Sequence, residues 1–265
     1  KIWNGTATDT DFEVLNGSAP KGTETNPYLI STAAELYGMA KSGVTATAGK
    51  YYKLTADIYL NDVTDSNWKS NNPNPWSSAG FRGNLDGDGH VIYGVHRVNT
   101  ATNGYSGLFD ETNSGDGTHQ ISIENLGIEK SYFEANFAGA FVGNANGNGT
   151  VANLTIKKCY VGADVEVKGS TRCGGLIASI AKTDVAINDC YFIGTLSGVG
   201  SAGKGGLLGY ISSKSVAETI NVENSFVVTS DNTLVDYMCG AKFENLVVTS
   251  AKATLYEEML DDFVY

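Results

Sequence analysis

Proline is scarce in this chain, at 4 of 265 residues, beside 32 glycines. That balance fits frequent tight turns and argues against a Pro-rich disordered linker. The four cysteines, Cys159, Cys173, Cys190 and Cys239, form no C-x-x-C pair, which removes zinc-knuckle and thioredoxin-like motifs. Positive charge is also short. Lys and Arg total 18 against 29 Asp and Glu, a formal charge of -11, so nucleic acid and anionic membrane surfaces are poor general partners. No apolar run approaches the roughly 18 residues of a membrane span, and no signal peptide opens the chain. The abrupt start at Lys1-Ile2-Trp3-Asn4-Gly5 reads as a mature or trimmed protein, which leaves room for a removed export signal. Histidines are only His90, His96 and His119, and there is no Gly-x-Ser-x-Gly elbow or Cys–His signature, so a nucleophilic hydrolase lacks its parts. Walker loops and dinucleotide fingerprints are absent too, because the Gly runs have no helix after them.

What the chain does have is repetition. An apolar residue, two polar residues, a small one and two apolar residues recur as Ile128-Glu129-Lys130-Ser131-Tyr132-Phe133, Ile156-Lys157-Lys158-Cys159-Tyr160-Val161, Ile187-Asn188-Asp189-Cys190-Tyr191-Phe192, Val222-Glu223-Asn224-Ser225-Phe226-Val227 and, most loosely, Phe243-Glu244-Asn245-Leu246-Val247-Val248. A Gly-rich phrase alternates with it: Ser106-Gly107-Leu108-Phe109, Ala138-Gly139-Ala140-Phe141, Cys173-Gly174-Gly175-Leu176 and Gly205-Gly206-Leu207, with a degraded copy at Met238-Cys239-Gly240-Ala241. Leu108, Phe141, Leu176 and Leu207 are 33, 35 and 31 residues apart, a period that signals a solenoid, propeller or array. The phrases are short, rich in apolar and β-branched residues, and bounded by turn formers, so they read as strands. A propeller blade needs about four strands in some 40 residues, more than these units hold. A coil that stacks strand on strand is the simpler solution, with like residues piling into columns about 4.8 Å apart: Ile over Ile, Cys over Cys, and a ladder of Tyr132, Tyr160 and Tyr191. The exchange of Cys159 and Cys190 with Ser131 and Ser225 at one position implies a small inward slot, with packed thiols favoured over a disulfide framework.

The ends differ from the middle. Thr32-Ala33-Ala34-Glu35 is a capping-box pattern ahead of Leu36, Tyr37, Met39 and Ala40, which predicts a helix of roughly three turns ending near Gly43. A solenoid exposes core and strand edges at an open end, so this helix is expected to be its lid. Thr254-Leu255-Tyr256-Glu257 before Met259, Leu260 and Phe263 suggests a C-terminal helical cap or the start of a further segment. The expected fold is therefore all-β: a right-handed, single-stranded parallel β-helix forming one domain over residues 1–265, with an N-terminal segment and cap at 1–50, coils at 51–250 and a C-terminal cap at 251–265.

Three features together resemble bacterial surface proteins with GLUG-type repeats. They are the entry segment Asn26-Pro27-Tyr28-Leu29-Ile30-Ser31-Thr32-Ala33-Ala34-Glu35-Leu36; the first coil Phe81-Arg82-Gly83-Asn84-Leu85-Asp86-Gly87-Asp88-Gly89-His90-Val91-Ile92-Tyr93-Gly94, preceded by Trp76; and the Gly-Gly-Leu and Asn/Asp-Cys-Tyr phrases. The resemblance covers roughly residues 25–230. It implies right-handed parallel β-helices in large exported or surface-anchored proteins with adhesive, spacing or carbohydrate-associated roles, and it brings no catalytic signature. β-Helices also host polysaccharide lyases and glycosidases, so fold likeness alone does not assign activity. The loop from Asn61 to Ser78 is longer than the family pattern leads one to expect.

Candidate chemistry can be weighed residue by residue. Asp86-Gly87-Asp88-Gly89-His90 invites a Ca²⁺ reading, but an EF-hand loop would place Glu at its twelfth position, where Arg97 stands. A turn in which glycines supply the backbone geometry and the aspartates cap amides is the better reading. Glycoside cleavage needs two carboxyls about 5 to 10 Å apart, and the column Glu129, Lys157, Asn188, Glu223, Glu244 reads as a mixed solvated face. Aromatic residues make the better binding case. Trp68 and Trp76 lie in the polar stretch Asn67-Trp68-Lys69-Ser70-Asn71-Asn72-Pro73-Asn74-Pro75-Trp76, where an indole could offer its apolar face to a sugar ring; Trp76 is expected to pack against the first coil. The expectation is a non-catalytic, exported surface module with no cofactor and no metal, binding a glycan or an extracellular protein through loops 61–78 and 104–120 as a monomeric part of a larger protein. A β-helix lyase or hydrolase, and a passive stalk, are the alternatives.

Overall fold

The computed structural model describes residues 3–113, 119–147, 153–211 and 219–228, and the backbone also at 152, 239–242 and 248–249. The expected C-terminal helix, the final aromatic phrase at 243–247 and part of loop 104–120 lie outside these residues.

Each coil is made of short strands that pair with their counterparts one coil away, so the chain winds into a parallel β-solenoid of about five turns. Four faces result. Face I runs through Tyr51–Leu54, Asn84–Asp86, Ile121–Glu124, Ala152–Lys157, Thr183–Asn188, Ile220–Glu223 and Val248–Thr249. Face II stacks Ile58–Tyr59, Val91–Tyr93, Gly127–Glu129, Tyr160–Val161, Tyr191–Phe192 and Phe226–Val227. Face III is centred on Tyr132–Gly139 and Glu166–Gly174, with His96–Val98 and Tyr105–Ser106 before them and Thr195–Leu196 and Gly203–Gly205 after. Face IV stacks Phe109–Asn113, Val142–Asn146, Ile177–Ala181, Leu208–Ile211 and Cys239–Lys242. The degraded Gly-rich copy thus continues the stack, with Cys239 opposite Leu208.

Alternation along each strand sends every second side chain inward. On face I the inward column is Tyr52, Leu85, Ile123, Ile156, Ile187 and Val222, paired in register and all buried. The slot residues behave as their interchange implies. Cys159, Cys190 and Ser225 are buried and each donates to the carbonyl two residues back, Lys157, Asn188 and Glu223 respectively. The thiols of Cys159, Cys173 and Cys190 are free, and burial pushes the Cys159 thiol well up and that of Cys173 to about 11.

The register corrects one assignment. Ile156 pairs with Ile123 and Tyr160 with Gly127, so the copy stacked beneath Ile156–Val161 is Ile123-Glu124-Asn125-Leu126-Gly127-Ile128. The stretch from Ile128 to Phe133 forms the next corner of the same coil. Tyr160, Tyr191 and Phe226 do form a stacked column, with centroids 5.1 and 5.0 Å apart, but Tyr132 pairs with His96 and Glu166 on face III. The physical reason sits at Gly127: a Cβ there would come within 2.5 Å of the Tyr160 ring, so only glycine leaves room for the ring above it. Likewise Glu124, not Glu129, continues the column of Lys157, Asn188 and Glu223, while Glu129 accepts from the Tyr160 hydroxyl at 2.9 Å.

The N-terminal helix α1 (Ala33–Thr47) forms with both halves of its capping box, Thr32 accepting from the Glu35 amide and Glu35 from the Thr32 amide. Gly43, at φ 81, breaks it after the three turns that the pattern predicts, and a short helical continuation follows. Leu36, Met39 and Ala40 are fully buried. The Ala79 amide donates to Ala40 O, and Tyr37 packs on Trp76, which seats the helix against the first full coil.

Candidate functional site

The stretch from Asn61 to Ser78 is held by side chains in place of regular backbone pairing. Buried Asn61 accepts from the Asn74 amide at 2.6 Å and donates to Gly94 O and Asn74 O. Asn74 in turn donates to Leu60 O and Trp3 O. Asp62 and Asp65 close turns by accepting from the amides of Thr64 and Asn67, and the hydrogen bonds from Thr64 hold the exposed Asp62 carboxyl below its ordinary range. A short 3-10 turn, Trp68–Ser70, sits at the far end. This clamped loop drapes over the start of face III and encloses a groove of about 610 Å³. Val63, Asp65, Trp68 and Lys69 form one wall, and Lys130, Asp164, Val165, Glu166 and Thr195 form the other.

Beside the groove, face III presents the column His96, Tyr132, Glu166, Thr195, paired in register across four coils. The His96 and Tyr132 rings stack at 5.6 Å, and Trp68 meets His96 edge-on at 6.1 Å. Lys69 closes the groove: its ammonium lies 3.3 Å from Glu166 and 5.5 Å from the Tyr132 ring centroid. Glu166 also accepts from Ser197 at 2.7 Å. Two residues along the strand, Glu134 accepts from the Tyr132 hydroxyl at 2.5 Å and pairs with Lys168 at 2.9 Å.

Electrostatics follow from these contacts. Burial works to raise the Glu134 carboxyl, but the hydrogen bonds from Tyr132 and Lys168 and the Lys168 charge outweigh it, and the carboxyl ends below its ordinary range. Burial, with the hydrogen bond to Glu134, pushes the Tyr132 hydroxyl well up. Burial lowers His96 against the pull of Glu134, which favours its neutral form. A glycosidase needs a carboxyl held protonated as acid, and Glu134 is displaced the opposite way.

The two tryptophans take different places. Trp76 is 1% exposed and donates from its indole nitrogen to Leu108 O at 2.9 Å, with Trp3 and Tyr37 against its ring. It packs under the helix on the first coil, away from any open surface. Trp68 is 8% exposed and borders the groove. Neither presents an open ring face, because burying the apolar indole against the coils is more favourable than leaving it in water. Glu166 and Lys130 join Trp68 at the groove, with Tyr132 beside it, only through coil-to-coil register, and the misplaced first repeat had put Tyr132 in another column.

The Asp86–His90 run is a turn, as its glycines imply. The Asp88 amide donates to the Asp86 carboxylate, and Asp88 and Gly89 have φ of 51 and 82. Lys53 lies 2.9 Å from Asp88 and 3.9 Å from Asp86, Asn125 donates to Asp86, and His90 pairs with Asp57 at 3.1 Å. Asp88 holds the Lys53 ammonium above its ordinary range, chiefly through that hydrogen bond. No cluster of three potential metal-ligating side chains occurs among the described residues.

No protein-family model matches the chain, so the likeness to GLUG-repeat proteins rests on motif order alone. Over 164 residues, 60% of this chain, it is 29% identical to halomucin of Haloquadratum walsbyi, of which that stretch is 2%. It is 30% identical over 149 residues to a protein of Evansella cellulosilytica named "Putative Gly-rich membrane protein", a match spanning 56% of this chain and 16% of that one. The chain therefore spans only a small part of these relatives. A crystal structure titled as that of "a putative immunoglobulin A1 protease" from Bacteroides ovatus superposes with a TM-score of 0.56 at 19% identity, over 86% of this chain and 65% of the other. At that identity the likeness is one of fold. No helix among the described residues is long and apolar enough to cross a membrane.

Proposed function

We propose that this chain is a non-catalytic module of a larger exported or surface protein, and that it holds a glycan or an extracellular protein in the groove beneath loop 61–78. The observation that carries the reading is the groove itself. A side-chain-clamped loop leaves about 610 Å³ open between Trp68 and Lys69 on one side and Lys130, Glu166 and Thr195 on the other. Such a concavity on a rigid scaffold is where binding tends to sit, and a passive stalk has no use for it. The carboxylates nearest the column are neutralised by Lys69 and Lys168 and held by Tyr132 and Ser197, which suits a binding surface better than acid–base work. Export is supported by the names of the relatives, halomucin and a Gly-rich membrane protein, and by a charge of -11 that disfavours nucleic acid. The 265 residues are read as one unit.

The test is binding of the wild-type chain to arrays of glycans and extracellular-matrix proteins, beside Trp68→Ala with its circular dichroism checked. A partner whose affinity falls by about tenfold or more in the variant, the equivalent of about 1.4 kcal/mol, supports the site. No ligand for the wild type, or equal affinity in a folded variant, counts against it. Turnover of a polysaccharide by the wild-type chain would replace the proposal with the lyase or hydrolase reading.

A further inference from the structure

A second concavity lies where faces III and IV meet. The corner is sharp because its glycines bring backbones together: a Cβ on Gly174 would stand 2.5 Å from Gly209 N. Cys173 and Ile180 point into the core on either side of this corner, so their neighbours Arg172 and Ser179 point outward. Yet Ser179 is fully buried, and so nearly are Asn144 and Phe137 on the outward side. The two outer surfaces therefore fold towards each other into a cleft. Face III contributes the column Tyr105, Phe137, Arg172, Gly203, and face IV contributes Glu111, Asn144, Ser179, Tyr210.

Arg172 stands out in this cleft. Its guanidinium lies between two rings, 4.5 Å from the Phe137 centroid and 4.3 Å from that of Tyr210, which leans in where Gly203 has no side chain. Nη1 donates to Ser179 Oγ at 2.6 Å, and Nε is buried with no partner. Nη2 is not among the buried unpaired atoms and is bonded to no protein group among the described residues. No carboxylate pairs with Arg172 among the described residues, in a chain carrying a charge of -11. Arg97, one corner away, shows the ordinary arrangement, with Asp110 gripping Nε and Nη2 at 2.8 and 2.6 Å. A guanidinium taken partly out of water and stacked on rings, yet left without a counter-ion, is oriented for an anion from outside. The stacking fixes its plane and sets its free donors along the cleft.

We propose that this cleft binds the carboxylate of an acidic sugar, with the Arg172 Nη atoms as the anion donors. A sugar is favoured over an acidic peptide because the rest of the accessible lining, Tyr105, Asn144 and Glu111, offers a ring together with amide and carboxyl groups that can hydrogen-bond the hydroxyls of a polyhydroxylated ligand. Only one of the four stacked coils places an Arg here, so each module holds one carboxylate. The site is separate from the groove beneath loop 61–78 and does not depend on it.

The test follows the side-chain ¹⁵N resonances of Arg172 in the wild-type chain during titration with trigalacturonate, its methyl ester and triglutamate. A saturable shift with trigalacturonate is expected, weakened by about tenfold or more for the ester, as the loss of one charge-assisted contact of about 1.4 kcal/mol predicts. Arg172→Gln should abolish the binding, and Lys69→Ala, at the other groove, should leave it unchanged. Absence of a saturable shift, equal affinity for the ester, or triglutamate binding as tightly as trigalacturonate would each overturn the proposal. These wild-type arms decide it even if Arg172→Gln fails to fold.

Discussion

Lys158 occupies a left-handed backbone conformation at φ 50, as do its counterparts in the stack, Asn125 at 52, Asp189 at 56 and Asn224 at 46. Each lies just before the slot residue, where the chain turns from face I to face II. Asn and Asp tolerate this conformation because their short polar side chains bond locally, whereas a long side chain gains nothing there. Asn125 donates to Asp86, and Asn224 to Asp189, each one coil back. Lys158 makes no such side-chain hydrogen bond among the described residues. Lys158→Asn is therefore expected to stabilise the fold by roughly 0.5–1 kcal/mol, a fraction of the left-handed penalty. Thermal unfolding would read this as a rise of about 1–3 °C for a chain of this size. A fall in midpoint would show that the Lys158 stem contributes more by covering the coil than its backbone strain costs.

At the scale of elements, the loop from Asn61 to Ser78 depends on one buried amide. Asn61 is 5% exposed and joins Asn74 to Gly94. Asn61→Ala would strand the Asn74 amide and the Gly94 carbonyl, at a cost of about 1–3 kcal/mol for buried groups left unsatisfied. It should also release the Trp68–Ser70 turn, so amide exchange across 61–72 should quicken while that in Ile187 and its neighbours stays unchanged. Uniform protection in the variant would mean that the Asp62 and Asp65 turns suffice to hold the loop. This element also marks how far the sequence could be read. The coil, the helix start at Thr32 and the Ser/Cys slot were legible because each repeats or follows a local rule. Burial of Trp68 was not, since its partner His96 lies 28 positions on and meets it only after the coil is wound. The same holds for Arg172 and Tyr210, whose contact crosses a corner and a coil. The first aromatic phrase misled for a related reason. Both the face I–II corner and the face II–III corner use apolar–polar–polar–small patterns, and Gly127 hid the true counterpart of Tyr160 by lacking a side chain.

For the whole molecule, the parallel stack makes stability a matter of nearest neighbours: each coil touches the one before and the one after. Ile187 is fully buried between Ile156 and Val222 in the face I column, and it lies in a central coil away from α1. Ile187→Ala should cost about 2–5 kcal/mol through lost contacts and the cavity left behind. In a globular core that loss would spread in every direction. Here it should fall on the flanking strands, Ala152–Lys157 and Ile220–Glu223, while Tyr51–Leu54, four coils away by register, keeps its protection. Hydrogen exchange on the variant distinguishes the two patterns. Graded loss with distance along the stack would fit coils that behave as linked units. Equal loss from Tyr51 to Val222 would show that α1, Trp76 and the long loop bind the coils into a single cooperative body, so that strain at either concave site is felt at the other.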